Sequence, residues 1–182
     1  MPAAIELRRL SPEDAALFRE IRLDGLKRDP DAFSSTLEVE SDQPLAFFAE
    51  RLGRSTVFGA FRGPGLLGVA GFLVQPGPKH AHKGLLWGMY VRPEARGAGI
   101  ARKLVEAVIE HARTRVELLQ LSVVSENEAA LRLYTRLGFA QYGVDRYGAK
   151  YRGKYHDDVL MVKMLALESG QRPVAQSGDA PR

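Results

Sequence analysis

The 182-residue chain contains no cysteine. It therefore has no thiol nucleophile, disulfide, zinc–thiolate site or iron–sulfur cluster, and any covalent catalysis would have to use other side chains. Its longest apolar stretch, GLLGVAGFLV at 65–74, is too short and too rich in glycine to cross a bilayer. The amino-terminal stretch MPAAIELRRLSPEDA lacks the apolar segment of a secretory signal. We therefore expect a cytoplasmic protein with no membrane partner.

Basic residues outnumber acidic ones only slightly, with a net charge of +4. Lys and Arg are spread along the chain, with a modest concentration between Arg92 and Arg136, whereas a nucleic-acid surface usually clusters them on one face. We expect a mildly basic surface and no nucleic-acid partner. The length predicts one domain, which we assign to residues 1–167. Large apolar residues become rare after this point, and we expect a disordered tail over 168–182.

Apolar periodicity and turn residues predict the order β-α-α-β-β-β-α-β-α-β-β, a mixed α/β sheet and not a doubly wound parallel one. Leu104, Val105, Val108 and Ile109 share one face of the most regular helix, which begins near Ile100. A tyrosine- and glycine-rich loop is expected between the last two strands. The predicted strands span 4–10, 56–62, 66–74, 83–91, 117–124, 139–147 and 159–165; the predicted helices span 11–27, 44–52, 100–112 and 129–137.

A strand-to-helix turn follows Val91 and contains two glycines. Backbone amides at the start of a helix have no intrahelical acceptors and suit a phosphate, and glycine lets the backbone approach it closely. The alternative is a plain turn in which the glycines only ease the bend. The turn matches neither G-x-G-x-x-G nor the G-K-[ST] of a P-loop. Its residues are Arg96, Gly97, Ala98, Gly99, Ile100 and Ala101.

Two polar residues stand out in SVVSENEAALRLYTRLGF, at 122–139. Asn127 lies where a strand gives way to a helix, so its side chain can cap that helix or contact a ligand. Tyr134 lies on the helix, either as a half-buried packing residue or as a functional hydroxyl.

The motifs MYVRP, RGAGIARKL and SENEAALRLYTRLGF, in this order and spacing, resemble the GNAT superfamily of acyl-CoA-dependent N-acetyltransferases. The resemblance is close over residues 85–140 and looser over 4–165. It implies a mixed, mostly antiparallel central sheet of about seven strands flanked by about four helices. It also implies acetyl-CoA as co-substrate and transfer of the acetyl group to a primary amine. Apart from the resemblance, His80 and His82 have no nearby cysteine or carboxylate to complete a metal site, so we expect no metal. Dimers are common among relatives, so a homodimer is left open.

The resemblance also implies roles for individual residues. The turn from Arg96 to Ala101 would hold the pyrophosphate of coenzyme A, although Ala101 stands where many members have glycine. The backbone of Met89, Tyr90 and Val91 would pair with the pantetheine arm. Asn127 would contact the cofactor, and Tyr134 would donate a proton to the leaving thiolate.

The base that deprotonates the amine is not evident. Many relatives place a glutamate on the fourth strand, but Leu85–Met89 contains none. A water relay is one alternative. The side-chain candidates are Glu38, Glu40, Glu126, and Asp157 or Asp158 with His156.

The acceptor cleft is assigned to the stretch DPDAFSS at 29–35, which resembles one GNAT subgroup, together with the loop at 147–155. We assign substrate binding to Phe33, Glu38 and Glu40. The carboxylates of the two glutamates would favour a cationic amine. A small-molecule acceptor is the leading expectation. The alternatives are a protein amino terminus, a lysine, an aminoacyl-tRNA, or a coenzyme A-binding module without activity.

Overall fold

The computed structural model describes residues 4–165. The predicted tail at 168–182 and the domain boundary at 167 lie outside the described residues. The described part contains five helices: α1 (Ala15–Arg28), α2 (Leu37–Glu40), α3 (Leu45–Arg54), α4 (Ile100–Arg113) and α5 (Glu128–Arg136). One-turn 3-10 segments lie at Pro12–Asp14, Pro30–Ala32 and Pro93–Ala95.

Seven strands form one sheet in the order β1-β2-β3-β4-β5-β7-β6. They are β1 (Glu6–Arg9), β2 (Thr56–Arg62), β3 (Gly65–Val74), β4 (Lys83–Val91), β5 (Leu118–Val124), β6 (Ala140–Tyr151) and β7 (Lys154–Met164). All neighbours pair antiparallel except β4 and β5. The predicted mixed, mostly antiparallel seven-stranded sheet is confirmed.

Each face of the sheet carries its own apolar cluster because successive strand residues point to opposite sides. On β3, Val69 joins the cluster under α1 and α3, whereas its neighbour Ala70 joins the cluster under α4. In α4 the predicted apolar stripe is the buried one: Leu104 and Val108 are both 0% exposed. Burying one such side chain contributes about 1.5–3 kcal/mol.

One expectation about secondary structure is wrong. The segment 147–155 is not a loop: β6 and β7 continue through it as a hairpin that turns at Arg152 and Gly153. These two residues have φ values of +47° and +81°, the left-handed backbone that a tight two-residue hairpin requires. The polar stretch before α3 contains the single-turn helix α2, so the described residues form five helices, in line with the expected arrangement of about four.

Candidate active site

A wedge opens between β4 and β5, the one parallel pair in the sheet. Their pairing covers only Lys83–Leu85 against Leu118–Gln120, although both strands continue well beyond it. Gly88, with φ of +61°, lies where β4 inserts an extra residue against β3. Such a bulge bends a strand, and here it accompanies the divergence of β4 from β5.

The wedge forms a cleft of about 680 Å³. One wall is Leu86–Val91 of β4, and the other is Leu121–Val124 of β5 together with the start of α5. The segment from Arg28 to Ala32 lies along one side, and β7 contributes Lys154 and His156. The predicted residues Met89, Tyr90, Val91, Arg96, Ala101, Asn127 and Tyr134 all line this cleft.

The first turn of α4 presents amides at one end of the cleft. Gly99 caps the helix in left-handed geometry, with φ of +73°, and its carbonyl accepts the first helical bond from the Lys103 amide at 3.1 Å. The amides of Ile100, Ala101 and Arg102 therefore have no helical acceptor. A Cβ on Gly97 or Gly99 would meet nothing within 4 Å, so the approach to these amides is open. This turn suits an anion such as a pyrophosphate.

Arg96 contacts both sides of the cleft mouth. Its Nε donates to the Val91 carbonyl at 3.0 Å, and its Nη2 donates to the carboxylate of Asp29. The side chain remains 49% exposed. Tyr90, by contrast, turns its ring into the core and donates to Asp24 at 2.8 Å. Burial and this bond raise the pKa of the Tyr90 phenol, and only the backbone of Tyr90 is suited to ligand pairing.

Both predicted residues of α5 face the cleft. The Asn127 side chain caps the helix by accepting a hydrogen bond from the Ala130 amide at 3.1 Å, as one of the two alternatives predicted. The same residue also lines the cleft. Tyr134 is 6% exposed and packs edge-on against Phe139. Burial raises the pKa of the Tyr134 phenol, so this hydroxyl stays protonated at neutral pH.

The three residues assigned to the acceptor do not line the cleft. Phe33 packs between the Arg22 guanidinium and the Tyr90 ring. Glu40 is 1% exposed and accepts two bonds from Arg22, at 2.9 and 2.8 Å. Both oxygens of its carboxylate are thus bonded within the protein, and a role for Glu40 in substrate binding stays a prediction. Glu38 is exposed and lies 3.8 Å from Arg152 of the β6–β7 turn.

The remaining candidate bases differ in whether they line the cleft. Asp157 accepts from the Tyr147 amide and from Arg146, both at 2.9 Å, and holds an irregular part of β6 against β7. Asp158 is absent from the cleft lining, whereas Glu126 and His156 are both part of it.

Four charged residues of the cleft wall were not assigned individually from the sequence: Arg28, Asp29, Asp31 and Lys154. Asp29 and Asp31 belong to the DPDAFSS stretch, and its predicted role in shaping the acceptor cleft stays a prediction. Within residues 4–165, no group of three or more His, Cys, Asp or Glu side chains could hold a metal ion. No helix in the same range is long and apolar enough to cross a membrane.

Comparison with known proteins assigns this arrangement to a family. Residues 20–139 match the acetyltransferase (GNAT) family, and the chain belongs to that family. Its fold is similar to the GNAT-family acetyltransferase of Streptococcus pneumoniae, with a TM-score of 0.80, 24% identity, and coverage of 90% of this chain and 100% of that one. A phosphinothricin acetyltransferase of Sinorhizobium meliloti, solved in complex with acetyl-CoA, has a TM-score of 0.79 at 18% identity and covers 94% of each chain.

Curated relatives match over shorter stretches. A mycothiol acetyltransferase of Thermobispora bispora is 45% identical over 56 residues, which are 30% of this chain and 19% of that protein. The L-methionine sulfoximine/L-methionine sulfone acetyltransferase of Pseudomonas aeruginosa is 35% identical over 75 residues, 40% and 43% of the two chains. The spermidine N(1)-acetyltransferase of Escherichia coli is 26% identical over 84 residues, 45% of each. The matched region thus spans less than half the length of these relatives.

Proposed function

We propose that this chain transfers the acetyl group of acetyl-CoA directly to a primary amine of a small molecule. The observation that carries this proposal is the wedge between β4 and β5, which leads from the open amides of α4 to the buried hydroxyl of Tyr134. The curated relatives named for mycothiol, spermidine and methionine sulfoximine support a small acceptor. The cytoplasmic location and the absence of nucleic-acid partners remain predictions of the sequence.

The first turn of α4, with Arg96 beside it, would hold the pyrophosphate of coenzyme A. Among residues 4–165, the edge of β4 that faces the cleft has no strand partner beyond Leu85, so Met89–Val91 can pair with the pantetheine arm as an added strand would. Asn127 would contact the same arm from the start of α5. These roles require no movement of the backbone, because the amides and the strand edge already face open space.

The chemistry follows from the residues at the inner end of the cleft. A neutral amine attacks the thioester carbon, and an amide of β4 near Val91 stabilises the developing oxyanion. The C–S bond then breaks, and Tyr134, kept protonated by its raised pKa, donates its proton to the departing thiolate. The amide nitrogen releases its surplus proton to solvent, from which Tyr134 is reprotonated.

Ligand-dependent melting tests the cofactor assignment. Acetyl-CoA at about 100 times its dissociation constant adds roughly 2.7 kcal/mol, which raises Tm by about 5–10 °C for a chain of this size. NADH and ATP serve as controls and should leave Tm unchanged. An unchanged Tm with saturating acetyl-CoA would contradict coenzyme A binding and the proposed function with it.

Thiol release tests the transfer itself. Wild-type protein with acetyl-CoA and either spermidine or L-methionine sulfone should liberate free coenzyme A, and the chain adds no background because it has no cysteine. We expect Tyr134→Phe to lower kcat by about 10²–10⁴-fold while still binding acetyl-CoA. Tyr142→Phe, at an exposed tyrosine of β6, is the control and should retain full activity.

Further acceptors separate the remaining alternatives. A peptide with a free amino terminus, a lysine peptide and an aminoacyl-tRNA belong in the same panel, the last at two salt concentrations because phosphate contacts are salt-dependent. Turnover of one of these with none of the small amines would replace the small-molecule assignment. Acetyl-CoA binding without turnover of any acceptor would identify a non-catalytic coenzyme A-binding module.

A further inference from the structure

His156 is a buried imidazole in the wall of the cleft. It lies on β7, is 4% exposed, and lines the same cleft as Tyr134. Its Nδ1 is shielded from solvent and has no hydrogen-bond partner among the described residues. Burying a polar nitrogen without a hydrogen-bond partner destabilises the fold. A residue that is retained at such a position is a candidate for a functional role.

Two carboxylates flank this imidazole from different parts of the chain. Oδ1 of Asp31, in the 3-10 turn after α1, lies 3.8 Å from Nε2. Oε1 of Glu126, between β5 and α5, lies 3.6 Å from Nδ1. Both carboxylates are about half exposed and line the cleft. A cation that enters the cleft therefore meets negative charge on both sides of the imidazole.

Other charged groups act on the same region. Lys154 precedes His156 on β7, and its Nζ lies 3.6 Å from Glu126. Arg28, Asp29 and Arg96 also line the cleft, with Arg96 paired to Asp29. The pKa of Glu126 is lowered by a backbone hydrogen bond and by the Ser125 hydroxyl, with smaller contributions from Lys154 and His156. Glu126 therefore stays ionised at neutral pH and keeps its charge beside the imidazole.

We propose that His156 is the base that takes the proton from the acceptor ammonium, and that Asp31 and Glu126 orient the imidazole and attract the cation. This assignment rests on the proposed function, and it supplies the group that β4 lacks, since Leu85–Met89 contains no carboxylate. An imidazole nitrogen of His156 accepts one N–H proton of the ammonium. The freed lone pair forms the N–C bond, the C–S bond breaks, and the thiolate receives the proton of Tyr134. The new amide nitrogen then loses its second proton to solvent, and Tyr134 regains a proton from solvent.

The pH dependence of turnover tests this role. Histidine changes charge between about pH 5 and 8, and the base must be neutral to act. Wild-type kcat/KM for spermidine or L-methionine sulfone should therefore rise along an acid limb and then level off, whereas His156→Gln should keep rising with the neutral fraction of the amine. At pH 7 we expect His156→Gln to lose about 100-fold or more in kcat. This loss should shrink as pH rises and more of the amine becomes neutral without help.

A matched variant separates the base from a structural histidine. His111 is half-buried between Phe58 and Phe72, outside the cleft, and His111→Gln should keep the wild-type pH profile. Asp31→Asn with Glu126→Gln alters only exposed side chains and keeps the test valid if His156→Gln does not fold. This double variant should move the acid limb to lower pH, because the removed charges favour the imidazolium.

Three outcomes overturn the assignment. One is a His156→Gln enzyme with wild-type kcat at pH 7, and another is a loss that is the same at every pH. The third is an acid limb that the double variant leaves unmoved. Failure of the proposed function is recognised separately, because the wild-type protein would then show neither an acetyl-CoA melting shift nor thiol release. If His156→Gln retains the acetyl-CoA shift while losing turnover, the fault lies in proton transfer and not in cofactor binding.

Discussion

Glu40, at the end of α2, shows how one buried carboxylate can join several elements. Arg22 of α1 binds both of its oxygens, and Arg51 of α3 approaches to 3.3 Å. Burial is the largest single influence and would raise the pKa of Glu40, but the bonds and charge of Arg22, together with Ser35 and Arg51, outweigh it and leave this pKa below its usual value. The ion pair therefore ties the segment before the cleft to the two helices behind it.

Removing one partner of this pair should be costly. Glu40→Gln leaves Arg22, 7% exposed, without its counter-charge, and we expect the free energy of unfolding to fall by about 3–5 kcal/mol. Urea denaturation measures the loss. Glu38→Gln, two residues away on the exposed side of the same helix, should unfold at the wild-type urea concentration. Equal midpoints for the two variants would show that the buried pair contributes nothing.

Asp14 ties β1 to the start of α1. It accepts two bonds from Arg8, both at 2.8 Å, and one from the Ser11 amide at 2.9 Å. The bond from Arg8 is the main reason that the pKa of Asp14 falls to about 2. A carboxyl with a lowered folded-state pKa stabilises the fold above its usual pKa, and this contribution is lost as pH falls through the lowered value.

Asp14→Asn should therefore destabilise the protein by about 1 kcal/mol at neutral pH, a modest amount because Arg8 is partly exposed and solvent screens the pair. The difference from wild type should shrink between about pH 4 and pH 2, as the wild-type carboxyl becomes protonated. Denaturant titrations across this range measure it. A difference that stays constant down to pH 2 would show that the charge of Asp14 is not responsible.

The β6–β7 hairpin is the element that sequence patterning handled worst. Its tyrosines and glycines predict a loop, but tyrosine also favours strands, and β6 pairs with β7 as far as Tyr151 and Lys154. Arg152 enters the turn with φ of +47°, a backbone that costs a non-glycine residue energy. An Arg-Gly pair is a weaker turn signal than Asn-Gly, so the sequence does not predict a tight turn at this position.

Arg152→Asn should relieve this strain, because asparagine tolerates left-handed backbone better than arginine does. We expect a gain of about 0.5–1 kcal/mol in the free energy of unfolding, measured by urea denaturation. Lys150→Asn makes a similar exchange on β6, outside the turn, and should give no gain since asparagine is unfavourable in strands. A destabilised Arg152→Asn would mean that the exposed contact with Glu38 outweighs the turn.

At the scale of the whole molecule, the cleft exists because β4 and β5 part after three paired residues. The 3-10 turn at Pro30–Ala32 and the start of α5 then close its sides. Both groups of proposed functional residues, those for the cofactor and those for proton transfer, lie on elements that border this one gap.

Hydrogen–deuterium exchange with acetyl-CoA should reflect that geometry. We expect slower exchange in peptides that cover Leu86–Arg102, because the ligand would occupy the free edge of β4 and the open amides of α4. Peptides covering β1 and β2, which lie at the far edge of the sheet, should exchange as before. NADH is the control ligand. Uniform slowing throughout the chain, or none, would contradict the proposed binding mode.

Helices, strands and turns that depend on local patterns of residues can be predicted from the sequence alone. The apolar stripe of α4 and the strands β2 and β4 depend on residues that are neighbours in the chain, and so do the glycine turn and the cap at Asn127. A common role for Tyr134 and the turn after Val91 at one cofactor is implied by the family resemblance. The family resemblance of residues 85–140 rests on the same local motifs.

Which charged residues face the cleft depends on the tertiary structure and is not evident from the sequence. Glu38 and Glu40 lie two residues apart, yet one is exposed and the other is enclosed by arginines of two other helices. The proposed role of His156 depends on the nearby carboxylates of Asp31 and Glu126, which are distant in sequence. Burial and charge pairing depend on contacts between remote segments, and no local pattern of residues records which of those segments will meet.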